Sequence, residues 1–264
     1  MNVLSPFSIQ SPGELWQIHR FQNENLRLPY AFSPDTVLLY CESGTLTVSL
    51  LAKTLLLKSD DCILIPPHVL HRITADTFCG TALVFKNAYL QKHFSEPFAA
   101  RLLAAFPGDT VYIENCKKNA PFASRCGSED FGFIDLARLL LVLEKEAARW
   151  DGRSTVTPFS GTLQKIVEHI TEKPEGYLSV SGVAQMFSLS DAHVCRLCKK
   201  EMALTPTELI TACRMSRAAR LLTETELSVR QISGMCGLSS HTHFQTLFKK
   251  CIGVTPKEYR LMQT

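Results

Sequence analysis

SVRQISGMCGLSSHTHFQTLFKKCIGVTPKEYR, residues 228–260, largely repeats residues 179–209, which read SVSGVAQMFSLSDAHVCRLCKKEMALTPTEL. The two copies are offset by about fifty residues, and a repeat at such a period marks a duplicated supersecondary unit. Two copies are too few to build a solenoid. The function is therefore expected to lie in what one unit does.

Each copy predicts a short helix, a tight turn and a longer helix. In the second copy Ser228 and Gln231 have the spacing of a capping box, and Gly237 suits the positive φ of a helix-ending turn. The longer helix then begins at Ser239 or Ser240. Both copies end in Thr-Pro-x-Glu, which is a strong signal for the start of another helix.

This order of elements, with a basic outer face on the longer helix, is the layout of a helix-turn-helix, whose second helix enters the major groove. We expect polar outward positions to contact bases and lysines to contact phosphates. A solvated face that contacts nothing is the alternative, and the recurrence of the whole pattern weighs against it. The expected base contacts are Ala192, Cys195, Arg196, His241, Thr242, Gln245 and Thr246, and the expected phosphate contacts are Lys199, Lys200, Lys249 and Lys250.

A helix over residues 206–222 is predicted to join the two units. Seventeen residues at roughly 1.5 Å each make a rod of about 25 Å. Such a rod can hold two helices on one side of a duplex, near the ~34 Å between successive major grooves. One chain then presents what usually takes a dimer.

The pattern resembles the AraC/XylS family of bacterial transcription regulators, whose DNA-binding domain has two helix-turn-helix units joined by a long helix. The resemblance covers about residues 160–264. It implies double-stranded DNA as a partner, and base contacts from the positions above except Gln245. The chain departs from the family at Ala203, where Gly is usual, and Ala192 and Cys195 are weak base readers.

Composition and charge fit two domains with cores of their own. The 264 residues are 45% hydrophobic and 20% charged, with a net charge of +3. From residue 161 onward, 13 Lys and Arg oppose 9 Asp and Glu, so the basic excess of +4 lies with the repeated units. The opening MNVLSPFSIQ is no signal peptide, and there is no apolar run long enough to span a membrane, so a cytoplasmic protein is expected.

Ten cysteines are scattered through apolar contexts and are expected to be reduced thiols. Cys195 and Cys198 have the spacing of a redox or zinc pair, near His193. The repeat aligns Cys198 with the apolar Phe248, however, and no second Cys-x-x-Cys completes a zinc set. No metal and no cofactor are expected.

Before the repeat, the sequence predicts short strands at 16–21, 37–41, 45–50, 54–57, 62–65 and 81–85. Strands at this density favour an antiparallel jelly-roll barrel. The stretches LYCESGTLTVSL, residues 39–50, and KSDDCILIPPHVLHRI, residues 58–73, resemble the cupin-like barrel of sugar-responsive members of the same family.

The mouth of such a barrel is a natural pocket for a small molecule, possibly a sugar. Each candidate lining residue also has a plain alternative as a core or structural side chain. Within the predicted barrel, no His-x-His pair with a Glu on an earlier strand indicates a cupin metal site. The candidate ligand contacts are Trp16, His19, Tyr40, Glu42, His68, His71 and Arg72.

Helices are predicted over residues 87–106 and 131–150, with a loop over 107–127 between them. The family resemblance implies that these helices form a dimer contact, and packing on the barrel is the alternative. Residues 151–161 read as a flexible linker. The predicted domains are therefore a cupin-like ligand-binding and dimerisation domain, residues 1–150, and a double helix-turn-helix domain, residues 162–264.

We therefore expect a multi-domain fold, with an N-terminal β-barrel and helices followed by an all-α domain. The expected function is transcription regulation in response to a small molecule, and not catalysis. The expected partners are DNA, the effector, a second copy of the chain and RNA polymerase. A constitutive regulator with a barrel used only for dimerisation, and a cupin-type enzyme, are the alternatives.

Overall fold

The computed structural model describes residues 16–51, 54–86, 111–113, 133–147, 159–172 and 179–263. Seven strands and eight helices lie within these ranges. The strands are β1 Trp16–Arg27, β2 Thr36–Gly44, β3 Leu46–Leu50, β4 Thr54–Leu57, β5 Cys62–Ile65, β6 His71–Phe85 and β7 Val111–Ile113. The helices are α1 Phe133–Ala147, α2 Gly161–Glu172, α3 Val180–Met186, α4 Asp191–Met202, α5 Pro206–Glu224, α6 Val229–Met235, α7 His241–Ile252 and α8 Pro256–Gln263.

The strands form one antiparallel sheet in the order β4-β3-β6-β2-β5-β7, with β1 on the other edge of β6. Strand β6 organises the sheet because its first residues pair with β3 and its later residues pair with β2. Irregular register in the β1–β6 and β2–β6 pairs marks bulges, which bend strands. The sheet curls into a half-barrel, which confirms the predicted class of the N-terminal domain.

Strand alternation gives this sheet an apolar inner face, defined here by Val37, Leu39 and Ile63, all fully buried in one hydrophobic cluster. Leu38 and Tyr40 point to the outer face and are also buried, with 1% and 2% exposure. A strand buried on both faces reads as a continuous apolar run, as β2 does.

Three parts of the N-terminal prediction are wrong. β1 ends at Arg27, six residues after the predicted end. β6 begins at His71, ten residues before the predicted start, because Asp76 and Thr77 resemble a turn although they stand exposed within the strand. The predicted loop over 107–127 contains β7, a three-residue edge strand on β5. Helix α1 lies within the predicted 131–150, whereas the predicted helix over 87–106 lies outside the described residues.

The helical domain contains the two predicted units. The first unit is α3 with α4, the second unit is α6 with α7, and α5 joins them. Met186 and Met235, the last residues of α3 and α6, are 59% and 37% exposed. Each ends a helix of only seven residues, which buries one turn and leaves its last residue at the edge.

The half-barrel docks on the helical domain. Tyr30, Phe32 and Leu70 of the sheet domain belong to the same buried cluster as the core of both helix-turn-helix units. Their side chains are buried, with 5% exposure or less, in this shared core. Within the described part of the chain, every helix is too short or too polar to cross a membrane.

Candidate nucleic-acid interface and effector site

The two long helices of the units, α4 and α7, begin with the same cap. Ser190 Oγ accepts the His193 N–H at 3.2 Å, and Ser240 Oγ accepts the His243 N–H at 3.2 Å. A serine N-cap satisfies one of the N–H groups that the first helical turn leaves without a partner. Both helices therefore start at corresponding residues and present corresponding faces.

Each long helix buries one face and exposes the other. The buried faces carry Val194, Cys198 and Met202 in α4, and Phe244 and Phe248 in α7. The opposite faces gather the predicted DNA contacts, and Cys195 and His241 are the members that lie half-buried. The exposed members are Ala192, Arg196, Lys199, Lys200, Thr242, Gln245, Thr246, Lys249 and Lys250.

Sequence reasoning missed one group on the face of the first unit. Asp191 is exposed at the start of α4, where its Oδ2 accepts the Ser181 hydroxyl at 2.7 Å. The residue that begins α7 in the second unit is His241. A carboxylate repels a phosphate backbone, so the outer face of α4 is the less favourable of the two for an anionic partner.

Helix α5, which sets the separation of the units, starts with a complete capping box. The Thr205 N–H donates to Glu208 Oε2 at 2.8 Å, and the Glu208 N–H donates to Thr205 Oγ1 at 3.2 Å. The hydrogen bond from the Thr205 backbone is the main cause that lowers the pKa of Glu208. The predicted Thr-Pro-x-Glu start is thus confirmed, and Thr255 and Glu258 repeat it at α8.

The other end of α5 is fixed by Arg260 of α8. Its guanidinium donates to the carbonyls of Leu222 at 3.0 Å, Thr225 at 3.2 Å and Leu227 at 2.7 Å. These are carbonyls of the last turn of α5 and of the connection to α6, which lack helical partners. One side chain therefore sets the direction in which the second unit leaves α5.

The predicted ligand contacts do not converge on one face of the half-barrel. His19 lies opposite Ala82, which lies opposite Leu39, so His19 shares the inner face. His71 lies opposite Leu50 on the same face. Tyr40, Glu42 and Arg72 lie on the outer face, where Tyr40 pairs with Thr81 and Arg72 pairs with Ser49.

Both inner-face histidines favour the neutral form. Burial lowers the pKa of His19. Burial also lowers the pKa of His71 to about 4, against a hydrogen bond at 2.8 Å between its Nδ1 and the Val69 carbonyl. Neutral imidazoles in an aliphatic surface can donate and accept hydrogen bonds to an uncharged ligand.

The outer-face candidates have partners within the sheet domain. The Tyr40 hydroxyl donates to Asp60 Oδ1 at 2.8 Å, and the Thr81 hydroxyl donates to Glu42 Oε1 at 3.4 Å. Trp16 begins β1 and is 37% exposed.

His68 and Arg72 contact the helical domain. His68 Nε2 lies 3.2 Å from the Tyr259 hydroxyl, and the His68 carbonyl accepts the Ser216 hydroxyl at 2.6 Å. Arg72 Nη1 donates to the Met202 carbonyl at 3.0 Å. The β5–β6 corner and the first residues of β6 therefore reach α4, α5 and α8.

The Cys195–Cys198 pair has no metal-site geometry around it. In the ranges that the structure describes, no three His, Cys, Asp or Glu side chains are grouped so that they could hold a metal ion. Cys198 is a free, buried thiol, and burial raises its pKa to about 11. It packs in the core of the helical domain, as its alignment with Phe248 predicts.

Two family models match the chain. The AraC-like ligand binding domain matches residues 17–111, and a helix-turn-helix domain matches residues 183–262. The HTH-type transcriptional activator RhaS of Escherichia coli (strain SE11) is 29% identical over 123 residues. That alignment covers 47% of this chain and 43% of RhaS, so the match spans less than half the length of this relative.

Solved structures match over one domain or over both. The C-terminal domain of AraT, a response regulator from Geobacillus stearothermophilus, is 31% identical, with a TM-score of 0.39, and covers 39% of this chain and 86% of its own. ToxT from Vibrio cholerae is 16% identical, with a TM-score of 0.42, and covers 95% of this chain and 100% of its own.

The two family models fall on the two domains of the fold, one on the half-barrel and one on the paired helix-turn-helix units. With both halves of that architecture present in one chain, the protein belongs to the AraC/XylS family of transcription regulators.

Proposed function

We propose that this chain binds specific DNA sequences and regulates transcription, and that a small molecule bound by its half-barrel controls that binding. The observation that carries the proposal is the duplicated unit, which exposes a polar, basic helix face at each end of α5. We call α4 the first reading helix and α7 the second reading helix.

The dimensions of α5 support simultaneous binding of both reading helices. Its 19 residues span about 28 Å at roughly 1.5 Å each, close to the ~34 Å between successive major grooves. The lysines at the ends of α4 and α7 are proposed to contact phosphates, and the polar residues nearer the helix starts are proposed to contact bases. Among those, Arg196 has the guanidinium that can bind guanine through two hydrogen bonds.

The inner face of the half-barrel is the proposed effector site. It is buried and mostly aliphatic, and it carries the imidazoles of His19 and His71. Ligand pockets in proteins are mostly apolar and use few polar groups to orient a small molecule. A sugar is the candidate effector that the family resemblance implies, and the contacts proposed for Trp16, Tyr40 and Glu42 remain predictions.

Two further partners belong to the proposal. Helix α1 is proposed to contribute to a homodimer, as helices at this place do in the family resembled. Relatives named transcriptional activators favour activation, and RNA polymerase is then the second protein partner.

In vitro selection from random duplexes with the purified full chain tests the DNA proposal. We expect a motif with two conserved blocks about one helical turn apart. We also expect a steep loss of affinity with added salt, because each phosphate contact releases a counterion. Enrichment without any shared motif would reject sequence-specific binding.

The effector proposal is tested on the selected duplex with a panel of monosaccharides. One sugar should raise the melting temperature of the full chain and change its affinity for the duplex, because only a ligand with different affinity for two states can shift them. Unchanged DNA affinity with every sugar would favour the constitutive alternative, in which the half-barrel serves only dimerisation.

A further inference from the structure

The first reading helix is completed by a residue of the other domain. Met202 is the last residue of α4, and its carbonyl is one of those that a helix end leaves without a backbone partner. Arg72 of β6 donates to this oxygen at 3.0 Å across 130 residues of sequence. A cation at this position also interacts favourably with the negative end of the helix dipole.

Arg72 is held in place from the side of the sheet. Its guanidinium carbon lies 5.1 Å from the centre of the Tyr30 ring, within the range of a cation–π contact. Tyr30 is 1% exposed and packs in the cluster that the sheet domain shares with the helices. The orientation of the guanidinium thus depends on a side chain that lies in the core shared by the two domains.

The first unit has a reason to need this contact. Just after Met202, Ala203 adopts a left-handed conformation with φ 58°, whereas Gly253 holds the corresponding place in the second unit with φ 94°. A side chain with a Cβ is strained in this region, and glycine is not. The end of α4 is therefore intrinsically less stable than the end of α7.

We propose that Arg72 is a positioning residue of the first helix-turn-helix unit, which caps the first reading helix from the half-barrel. Docking of the half-barrel then orders the end of α4, and any change that moves Tyr30 or Arg72 loosens the first unit and leaves the second unchanged. The consequence for DNA rests on the proposed function, whereas the consequence for helix order does not.

Hydrogen exchange of the full chain without DNA tests the capping role. In Arg72→Ala, amides of residues 199–204 should exchange about tenfold faster, as expected for the loss of one charged hydrogen bond. The last turn of α7 should exchange at its original rate. Unchanged exchange in α4, or equal acceleration in both helices, would overturn the proposal.

Two matched variants separate capping from general damage to the fold. Arg27→Ala removes an exposed arginine of the same sheet, which pairs with Asp76, and should leave α4 unchanged. Arg72→Lys keeps a donor and a charge, and should recover part of the protection of α4. If Arg27→Ala accelerates exchange at the end of α4 as much as Arg72→Ala does, the hydrogen bond to Met202 is not the cause.

A second-site change makes the test sharper. Ala203→Gly removes the strain that follows α4, so the double variant Arg72→Ala with Ala203→Gly should regain most of the protection lost in Arg72→Ala. A purely structural defect of the sheet would not respond to a substitution in the helical domain. Failure of this rescue would show that Arg72 does not act through the end of α4.

Hydroxyl-radical footprinting on a selected duplex extends the test to DNA. Arg196→Ala and Gln245→Ala first assign one protected block to each reading helix. Arg72→Ala should then lose about tenfold in affinity, with protection lost at the block of the first unit only. Equal loss at both blocks would overturn the proposal. Failure to select any duplex would count against the proposed function, and hydrogen exchange would still decide the role of Arg72.

Discussion

In both helix-turn-helix units the backbone enters the left-handed region twice, but only the second unit uses glycine there. The first unit has Ser188 at φ 54° and Ala203 at φ 58°. The second unit has Gly237 at φ 70° and Gly253 at φ 94°. The two units thus share the same backbone conformation, but the first unit lacks the residue type that adopts this conformation without strain.

The caps of the short helices differ in the same direction. In the second unit Ser228 and Gln231 form a reciprocal capping box, with the Ser228 N–H donating to Gln231 Oε1 at 2.9 Å. In the first unit Ser179 accepts the Gly182 N–H, but glycine has no side chain to return the bond. The first unit instead receives Arg72 from the half-barrel. The unit that is weaker by itself is the one whose reading helix the other domain caps.

The largest expected effect concerns the second unit, which the helical domain holds in place through its own Arg260. Arg260→Ala removes the three hydrogen bonds that fix the end of α5 and the approach to α6. At about 1 kcal/mol for each bond, the free energy of unfolding should fall by about 3 kcal/mol. Urea unfolding measures this loss, and Arg230→Ala, an exposed arginine on α6, is the control with an expected change under about 0.5 kcal/mol. Equal effects of the two substitutions would show that Arg260 does not fix the second unit.

The next effect concerns how the two units read DNA. Arg196 is the one strong base reader proposed for the first unit, whereas the second unit distributes contacts over several polar side chains. Arg196→Ala should therefore weaken DNA binding by about 2 kcal/mol and relax specificity at a single base position. Gln245→Ala should weaken binding by a smaller amount. Titration of selected duplexes, each with one base pair changed, measures both. Uniform loss on all duplexes would make Arg196 a phosphate contact.

The elements of the helical domain could be predicted from sequence because their signals are local. Ser228 with Gln231, and Thr205 with Glu208, define helix starts within four residues, and the structure has both capping boxes. The outward face of α7 follows from the apolar period of Phe244 and Phe248 alone. A repeated pattern also supports each predicted boundary and face twice.

The contacts between the domains could not be predicted, because they join residues far apart in sequence. His68 and Arg72 look like pocket residues when they are placed by sequence, since both are polar and follow a predicted strand. Arg72 is the second residue of the long strand β6, lies on its outer face and donates to the Met202 carbonyl, 130 residues away. His68 stands in a left-handed turn with φ 63° that turns it toward Tyr259. The face on which a strand residue lies depends on where the strand begins, and the start of β6 was predicted ten residues too late. His71 and Arg72 could therefore not be assigned to a face from the sequence.

Low pH should weaken the packing of the half-barrel, and with it the contact between the half-barrel and the helical domain. Burial, with a smaller contribution from Arg220, lowers the pKa of His68 to about 3, and burial lowers the pKa of His71 to about 4. In the unfolded chain each imidazole is protonated near pH 6.5, whereas in the folded chain it stays neutral. The stability that these neutral histidines contribute is therefore fully present above pH 6.5 and is lost as the pH falls below that value. Each histidine should lower the free energy of unfolding by about 1 kcal/mol over the first pH unit below 6.5.

Urea midpoints measured across this range test the prediction. His68→Asn is the informative variant, because asparagine tolerates the left-handed backbone at this position and does not titrate. It should flatten the pH dependence by about the share of one histidine. A slope that stays the same in His68→Asn would assign the acid sensitivity to other groups.

The smallest expected effect tests the difference between the two units directly. Exchanging the residues that follow the two reading helices gives Ala203→Gly in the first unit and Gly253→Ala in the second. A Cβ at Gly253 would meet no atom within 4 Å, so this substitution changes only the backbone preference. We expect Gly253→Ala to destabilise the protein by about 1 kcal/mol and Ala203→Gly to stabilise it by up to about 1 kcal/mol.

Thermal unfolding of the two single variants and of the double variant measures the difference. The double variant should return close to the original stability, because the two residues end different helices, their N–H groups bond to different carbonyls, and independent sites act additively. If Ala203→Gly instead destabilises, the side chain of Ala203 contributes to the docked first unit more than its backbone strain costs, and the weakness of that unit lies at Ser188.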